Sequence, residues 1–142
     1  MPTCTRKLEF DAGHRVMRHE SKCVNMHGHR YTAEITAQSE TLDELGRVID
    51  FGKIKAVVGK WIDDNLDHAF IANPADTEVI AFLQAQGYKL YVLPFDDNPT
   101  AEVLADHLLE VSQDLLEPFG VGAVHVRLWE TPNAWADAGS KP

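Results

Sequence analysis

The alternation of apolar and polar positions begins near the N-terminus. Leu8, Phe10 and Ala12 alternate with Lys7, Glu9 and Asp11, a period of two that predicts a strand with one buried face. His14 falls on the apolar parity, just past Gly13. Residues 15–26 are polar and lack periodicity, so they read as a connection. In the strand predicted next, His27, His29, Tyr31, Ala33, Ile35 and Ala37 share one face, and Gly28, Arg30, Thr32, Glu34, Thr36 and Gln38 share the other. If the two strands pair antiparallel through that connection, the end of one lies beside the start of the other. His14, His27 and His29 then converge at one end of one sheet face.

Gly46 marks a turn, and Val48 and Ile49 a short apolar stretch. Asp50 is placed to cap a helix beginning near Gly52. Ile54, Val57, Val58, Trp61 and Ile62 give that helix one apolar face, and Leu66-Asp67-His68 follows it directly. Asp76 is placed to cap a shorter helix carrying Val79, Ile80 and Leu83, with Gly87 to end it. Tyr88 to Phe95 reads as a β segment, with Pro94 suggesting an edge or an ending. Asn98-Pro99 predicts a helix start with the proline at the first helical position. Leu104, Leu108, Val111 and Leu115 form its stripe, and Pro118 and Gly120 stop it. Val124, Val126 and Leu128 alternate with His125 and Arg127 in a last strand ending at Trp129-Glu130. The tail from Pro132 carries no predicted element and is expected to be mobile at its end. This order predicts an α+β arrangement, an antiparallel sheet with helices on one side. The exposed edges of so small a sheet suggest oligomerisation.

Composition narrows the class. A chain of 142 residues that is 44% hydrophobic and 25% charged fits one soluble globular domain over 1–142. No apolar run is long enough to span a membrane, and no secretory signal is visible. Two cysteines, Cys4 and Cys23, make no disulfide framework, which favours intracellular thiols and a cytoplasmic protein. The net charge of −9 argues against general nucleic-acid binding. Yet residues 1–60 hold 10 of the 13 Lys and Arg. Arg6, Lys7, Arg15, Arg18, Lys22 and Arg30 gather around the histidines, where a small anionic ligand would fit. A solvated mixed surface would give the same count.

The histidines carry the chemistry. Zinc takes imidazole nitrogen at about 2.0–2.1 Å, and a catalytic site keeps three protein ligands and one open position. The plainer alternative is three core histidines satisfied by hydrogen bonds, and three adjacent ones are harder to satisfy than one. Cys23 would either close the site as a fourth ligand or stand beside the open position as base or nucleophile. In Asp67-His68 a carboxylate next to an imidazole can orient it for general acid–base catalysis, although most such pairs are surface loops. His19, His107 and His125 lack such context, and Cys4 reads as inert. Cupins follow His-x-His with a glutamate, and Glu34 has that spacing from His29. Its parity is wrong, the framing glycines are missing, and two long helices do not suit a jelly roll.

Five motifs occur in order: Phe10-Asp-Ala-Gly-His14, Cys23-Val-Asn-Met-His27-Gly-His29, Leu66-Asp67-His68, Asn98-Pro99-Thr100-Ala101-Glu102 and Trp129-Glu130-Thr131. Together, from about Leu8 to Thr131, they resemble the 6-pyruvoyltetrahydropterin synthase family, which includes the bacterial 6-carboxytetrahydropterin synthases of queuosine biosynthesis. The resemblance implies a tunnelling fold (T-fold), with an antiparallel four-stranded sheet and two long helices packed on one face, assembled as a homohexamer of two trimers. It implies Zn2+ at His14, His27 and His29. It makes Cys23 the catalytic base, Asp67 and His68 the second acid–base element, and Glu130 the anchor of the pterin. It places Thr100 and Glu102 in the same pocket. The activity implied is a zinc-dependent lyase acting on 7,8-dihydroneopterin triphosphate. The products are 6-carboxy-5,6,7,8-tetrahydropterin, acetaldehyde and triphosphate, or 6-pyruvoyltetrahydropterin in the other branch. The short Cys-x3-His spacing resembles the carboxy branch. Arg30 departs from the small polar residue of the family pattern, and the stretch 70–97 is longer than in compact members. A reading of another class is a non-catalytic T-fold protein that binds a purine or pterin, with zinc holding the loop.

Overall fold

β1 (Thr3–His14) and β2 (His27–Gln38) form the central pair, in a computed structural model that describes residues 1–140. They pair antiparallel along their whole length, with Phe10 opposite Tyr31, Ala12 opposite His29 and His14 opposite His27. β5 (Gly122–Thr131) runs antiparallel to β2, and β6 (Ala134–Gly139) antiparallel to β5. On the other side, β3 (Ala69–Ala72) and β4 (Leu90–Val92) add in parallel, giving the order β4-β3-β1-β2-β5-β6.

The sheet is therefore six-stranded and mixed, which corrects the expectation of four antiparallel strands. Two strands account for the difference. β3 sits where no strand was expected, directly after a helix, and its residues Ala69, Ile71 and Ala72 are buried. β6 forms in the tail from Pro132, where no element was expected, burying Ala136 and Ala138; residues 141–142 lie outside the described residues. Gly139 has a φ of 85°, and a Cβ there would meet the Val124 carbonyl oxygen at 2.2 Å, so this end of β6 requires glycine.

The two long helices cover the apolar face. α1 runs over residues 51–65 as Phe51–Ile54, a π turn at Lys55–Gly59, and Lys60–Asn65. Asp50 caps it, accepting from the Gly52 amide at 2.8 Å. α2 (Thr77–Gln86) ends at Gly87, whose left-handed φ of 72° closes the helix as expected. α3 (Ala101–Leu116) starts later than its proline suggested. Thr100 is the N-cap, its hydroxyl accepting from the Val103 amide at 3.2 Å, so Pro99 lies ahead of the cap. Ile54, Val58 and Ile62 of α1 and Leu104, Leu108 and Leu116 of α3 meet Leu8, Phe10, Ile35, Val126 and Leu128 of the sheet in one core. Each such side chain stabilises the fold by about 1.5–3 kcal/mol, so the sheet end that carries the histidines is rigidly backed.

Candidate metal centre

Strand parity alone brings the three histidines together. His14 ends β1, His27 begins β2 opposite it, and His29 lies opposite Ala12 on the same face. The ring centroids are 4.7, 5.1 and 4.9 Å apart, each pair edge-on. Glu130 joins them from β5. It shares parity with Val126 and Leu128, and a break in the β5–β6 register between Trp129 and Thr131 falls at this position, the kind of bulge that re-aims a side chain. One ligand atom from each of His14, His27, His29 and Glu130 lies within 4.8 Å of the others.

Hydrogen bonding fixes the tautomers. His14 Nδ1 lies 2.7 Å from the Pro99 carbonyl oxygen, and His27 Nδ1 lies 2.7 Å from that of Asn25. A carbonyl only accepts, so each Nδ1 carries the proton and each Nε2 is left with a lone pair. Yet His14 Nε2 and His27 Nε2 face each other at 3.1 Å. Two lone pairs cannot hydrogen-bond to one another, and a cation between them would satisfy both. His29 Nε2 is buried without a hydrogen bond, although Glu130 Oε1 stands 2.8 Å away. The same oxygen is 3.5 Å from His14 Nε2. Ligand atoms around tetrahedral zinc, at bonds of about 2.0–2.1 Å, are separated by roughly 3.3–3.4 Å. The residues present fit such an ion, and carbonyls behind ring nitrogens are the usual outer support of metal-binding histidines. Three satisfied core histidines would not leave lone pairs opposed.

The electrostatics agree. Burial pushes the His29 imidazole toward its neutral form, against the pull of Glu130, and His14 and His27 push the same way. Contact with the His14 ring holds the Glu130 carboxyl below its ordinary value, outweighing burial. Behind them Tyr31 is buried, with its phenol pushed up by desolvation and its hydroxyl 3.3 Å from His14 Nδ1.

Cys23 is not one of the four converging residues. It sits half-buried and free in a single 3-10 turn, Lys22–Val24, just before His27. Asp67 and His68 form the corner between α1 and β3. Both dock on the backbone of Asp11: Asp67 Oδ1 accepts from its amide at 2.9 Å, and the His68 amide donates to its carbonyl at 2.6 Å. Asp67 Oδ2 holds His68 Nδ1 at 2.9 Å. Burial raises the Asp67 carboxyl, but the Asp11 amide, His68 and Lys89 outweigh it and bring it below its ordinary value. His68 has a φ of 62°, a left-handed conformation uncommon for any residue but glycine. Its side chain is 75% exposed. It lines an open groove of about 580 Å³ with Asp11, His29, Arg30, Phe70, Tyr88 and Lys89, so one histidine of the cluster borders the same groove.

The other candidates divide. Thr100 caps α3, and Glu102 is exposed in its first turn. Glu34 accepts from the Trp129 indole on the opposite face of β2, so the cupin pattern fails, as its parity required. His107 is buried against the Tyr91 hydroxyl at 2.6 Å, and His125 against Asp137 at 3.0 Å, both structural as expected. Of the basic cluster, Arg15 is taken by Asp76 and Arg30 by Glu9 and Asp11. Arg18 and Lys22, in the same connection as Cys23, are exposed and without a carboxylate partner among the described residues.

Comparison with known proteins places this geometry. The family model of 6-pyruvoyl tetrahydropterin synthase matches residues 3–141. A Rickettsia bellii protein named 6-carboxy-5,6,7,8-tetrahydropterin synthase is 43% identical over 139 residues, covering 96% of this chain and 99% of that one. An Aquifex aeolicus protein of the same name is 32% identical, covering 94% of each. Among solved structures, an uncharacterized Wolinella succinogenes protein superposes with a TM-score of 0.81 at 23% identity, covering 99% of this chain and 98% of that one. Caenorhabditis elegans 6-pyruvoyl tetrahydropterin synthase gives 0.66 at 22%, with the same coverage, so the fold is shared. No helix among the described residues is long and apolar enough to cross a membrane. With the family model and these relatives covering almost the whole chain, the protein belongs to the 6-pyruvoyl tetrahydropterin synthase family.

Proposed function

We propose that the protein is a zinc-dependent lyase that converts 7,8-dihydroneopterin 3'-triphosphate and one water to 6-carboxy-5,6,7,8-tetrahydropterin, acetaldehyde and triphosphate, a step of queuosine biosynthesis. The whole chain serves as one cytoplasmic catalytic domain, working as a homohexamer of two trimers. The observation that carries the reading is the pair of opposed, proton-free Nε2 atoms of His14 and His27 beside His29 and Glu130. The names of the relatives supply the substrate class.

His14, His27 and His29 hold the zinc. Bound zinc supplies Lewis acidity that makes nearby substrate hydroxyls more acidic. Glu130 anchors the pterin by accepting from its guanidine-like N–H groups, which places the pterin side chain next to the histidines. Cys23 acts as the base on that side chain, and His68, oriented by Asp67, exchanges the second proton. Thr100 and Glu102 line the pocket. Arg18 and Lys22 are the free cations nearest in sequence to Cys23 and meet the triphosphate. The exposed His68 belongs where a second copy closes the site in the assembly.

The test is incubation of zinc-loaded and metal-stripped protein with dihydroneopterin triphosphate, with products identified by mass spectrometry. The proposal expects zinc-dependent 6-carboxytetrahydropterin with acetaldehyde. 6-Pyruvoyltetrahydropterin instead would assign the other branch. No zinc-dependent consumption would leave a non-catalytic pterin- or purine-binding protein.

A further inference from the structure

Three successive residues at the exit of β1 hold the turn that carries Cys23. The Arg15 guanidinium makes two hydrogen bonds of 2.6 Å to the Asp76 carboxylate. The Val16 amide donates to the Cys23 carbonyl at 2.9 Å. The Met17 amide donates to Asn98 Oδ1 at 3.0 Å, and its carbonyl accepts from Asn98 Nδ2 at 3.1 Å. The Asn98 side chain thus pairs with Met17 as a neighbouring strand would. Asn73 Nδ2 donates to Asn98 Oδ1 at 3.2 Å and links the two anchors.

Two features set this network apart from ordinary loop packing. Asp76 occupies the N-cap position of α2 but makes no capping hydrogen bond. A capping side chain ordinarily stabilises the start of a helix. Here the carboxylate, with only 3% of its side chain exposed, serves Arg15 instead. In addition, residues 15–26 lack a core of their own: Arg18, Glu20, Ser21, Lys22, Asn25 and Met26 are exposed. Among the described residues, the side-chain hydrogen bonds tying 15–24 to distant parts of the chain run to Asp76 and Asn98.

We propose that Arg15, Asp76 and Asn98 are positioning residues that fix the Cys23 turn relative to the histidines. This rests on the reading of Cys23 as the base. A base works only within hydrogen-bond reach of its proton, about 2.6–3.2 Å, and a misplacement of 1 Å can cost on the order of 10²-fold in rate. The metal ligands do not depend on this latch. His14 is oriented by the backbone carbonyl of Pro99, which side-chain substitution at 98 leaves in place.

The experiment compares Asn98→Leu, Asn98→Asp and Asp76→Asn with the parent protein. Three readouts are taken: zinc content, the alkylation rate of Cys23 against Cys4 by iodoacetamide, and kcat and KM on dihydroneopterin triphosphate. Asn98→Leu is expected to keep its zinc, to expose Cys23 to faster alkylation with Cys4 unchanged, and to lose kcat on the order of 10²-fold with little change in KM. Asn98→Asp keeps the acceptor for the Met17 amide and should recover part of the rate. Asp76→Asn keeps the size of the side chain and serves if the Asn98 variants fail to fold. Folded, zinc-loaded variants with unchanged alkylation and kcat would overturn the proposal. If the parent protein shows no turnover but the variants show faster Cys23 alkylation, the latch stands and the enzymatic reading falls.

Discussion

The two chemical regions of this protein dock on the same strand, three residues apart, and are built in opposite ways. The histidine cluster is made by regular structure. Its side chains follow from β parity, its tautomers from backbone carbonyls, and His14 is only 1% exposed. The Asp67–His68 corner is made by a turn that holds His68 in a left-handed conformation, with an imidazole 75% exposed. The first is preorganised within one chain and partly buried, which suits binding of an ion. The second is held at its backbone and open at its tip, which suits a group that meets its substrate only when another surface closes over it.

Substitutions sharpen this contrast. His27→Ala should abolish both zinc binding and turnover, read by metal analysis and product formation. His68→Ala should keep zinc and melting temperature while turnover drops by about 10²–10⁴-fold, the range of a lost general acid or base. Cys23→Ala should also keep its zinc and lose turnover; release of zinc would instead make the thiol a ligand. Glu130→Gln separates two roles for one carboxylate. Retained zinc with impaired turnover fits a pterin anchor, whereas lost zinc would make Glu130 part of the metal shell.

The smallest expected effect concerns pH. The Asp67 carboxyl lies below its ordinary value in the folded protein, where burial is outweighed by the Asp11 amide, His68 and Lys89. A group depressed on folding contributes stability above its unfolded pKa and loses it as pH falls through the folded value. Asp67→Asn should therefore lower stability near neutral pH and flatten the acid limb of a denaturation profile, the variant and parent converging as pH falls through the folded value. An unchanged acid limb would mean that the corner is not held by this carboxylate.

Much of the histidine end was legible in the sequence. Leu8, Phe10 and Ala12 against Tyr31, Ala33 and Ile35 set parity and register, and large β-formers make that signal strong. The rest was hidden for physical reasons. Ala69–Ala72 is only four residues long, and its strand pairing is parallel and non-local. In β6 the buried positions are Ala136 and Ala138, too small to register as an apolar face. Parity of Val126, Leu128 and Glu130 could have shown that the glutamate shares the core face, but only the register with β2 reveals that it reaches the histidines. The contact of Arg15 with Asp76 spans 61 residues, and local reading assigned that aspartate to a helix cap.

The central claim is that three imidazole nitrogens of one chain end hold zinc while Cys23 stays free to act. X-ray absorption on the zinc-loaded protein tests it most directly. The account predicts a first shell of nitrogen and oxygen at about 2.0–2.1 Å, three of them imidazole, with no sulfur. A zinc–sulfur distance near 2.3 Å would contradict it, since Cys23 would then be a ligand and not the base.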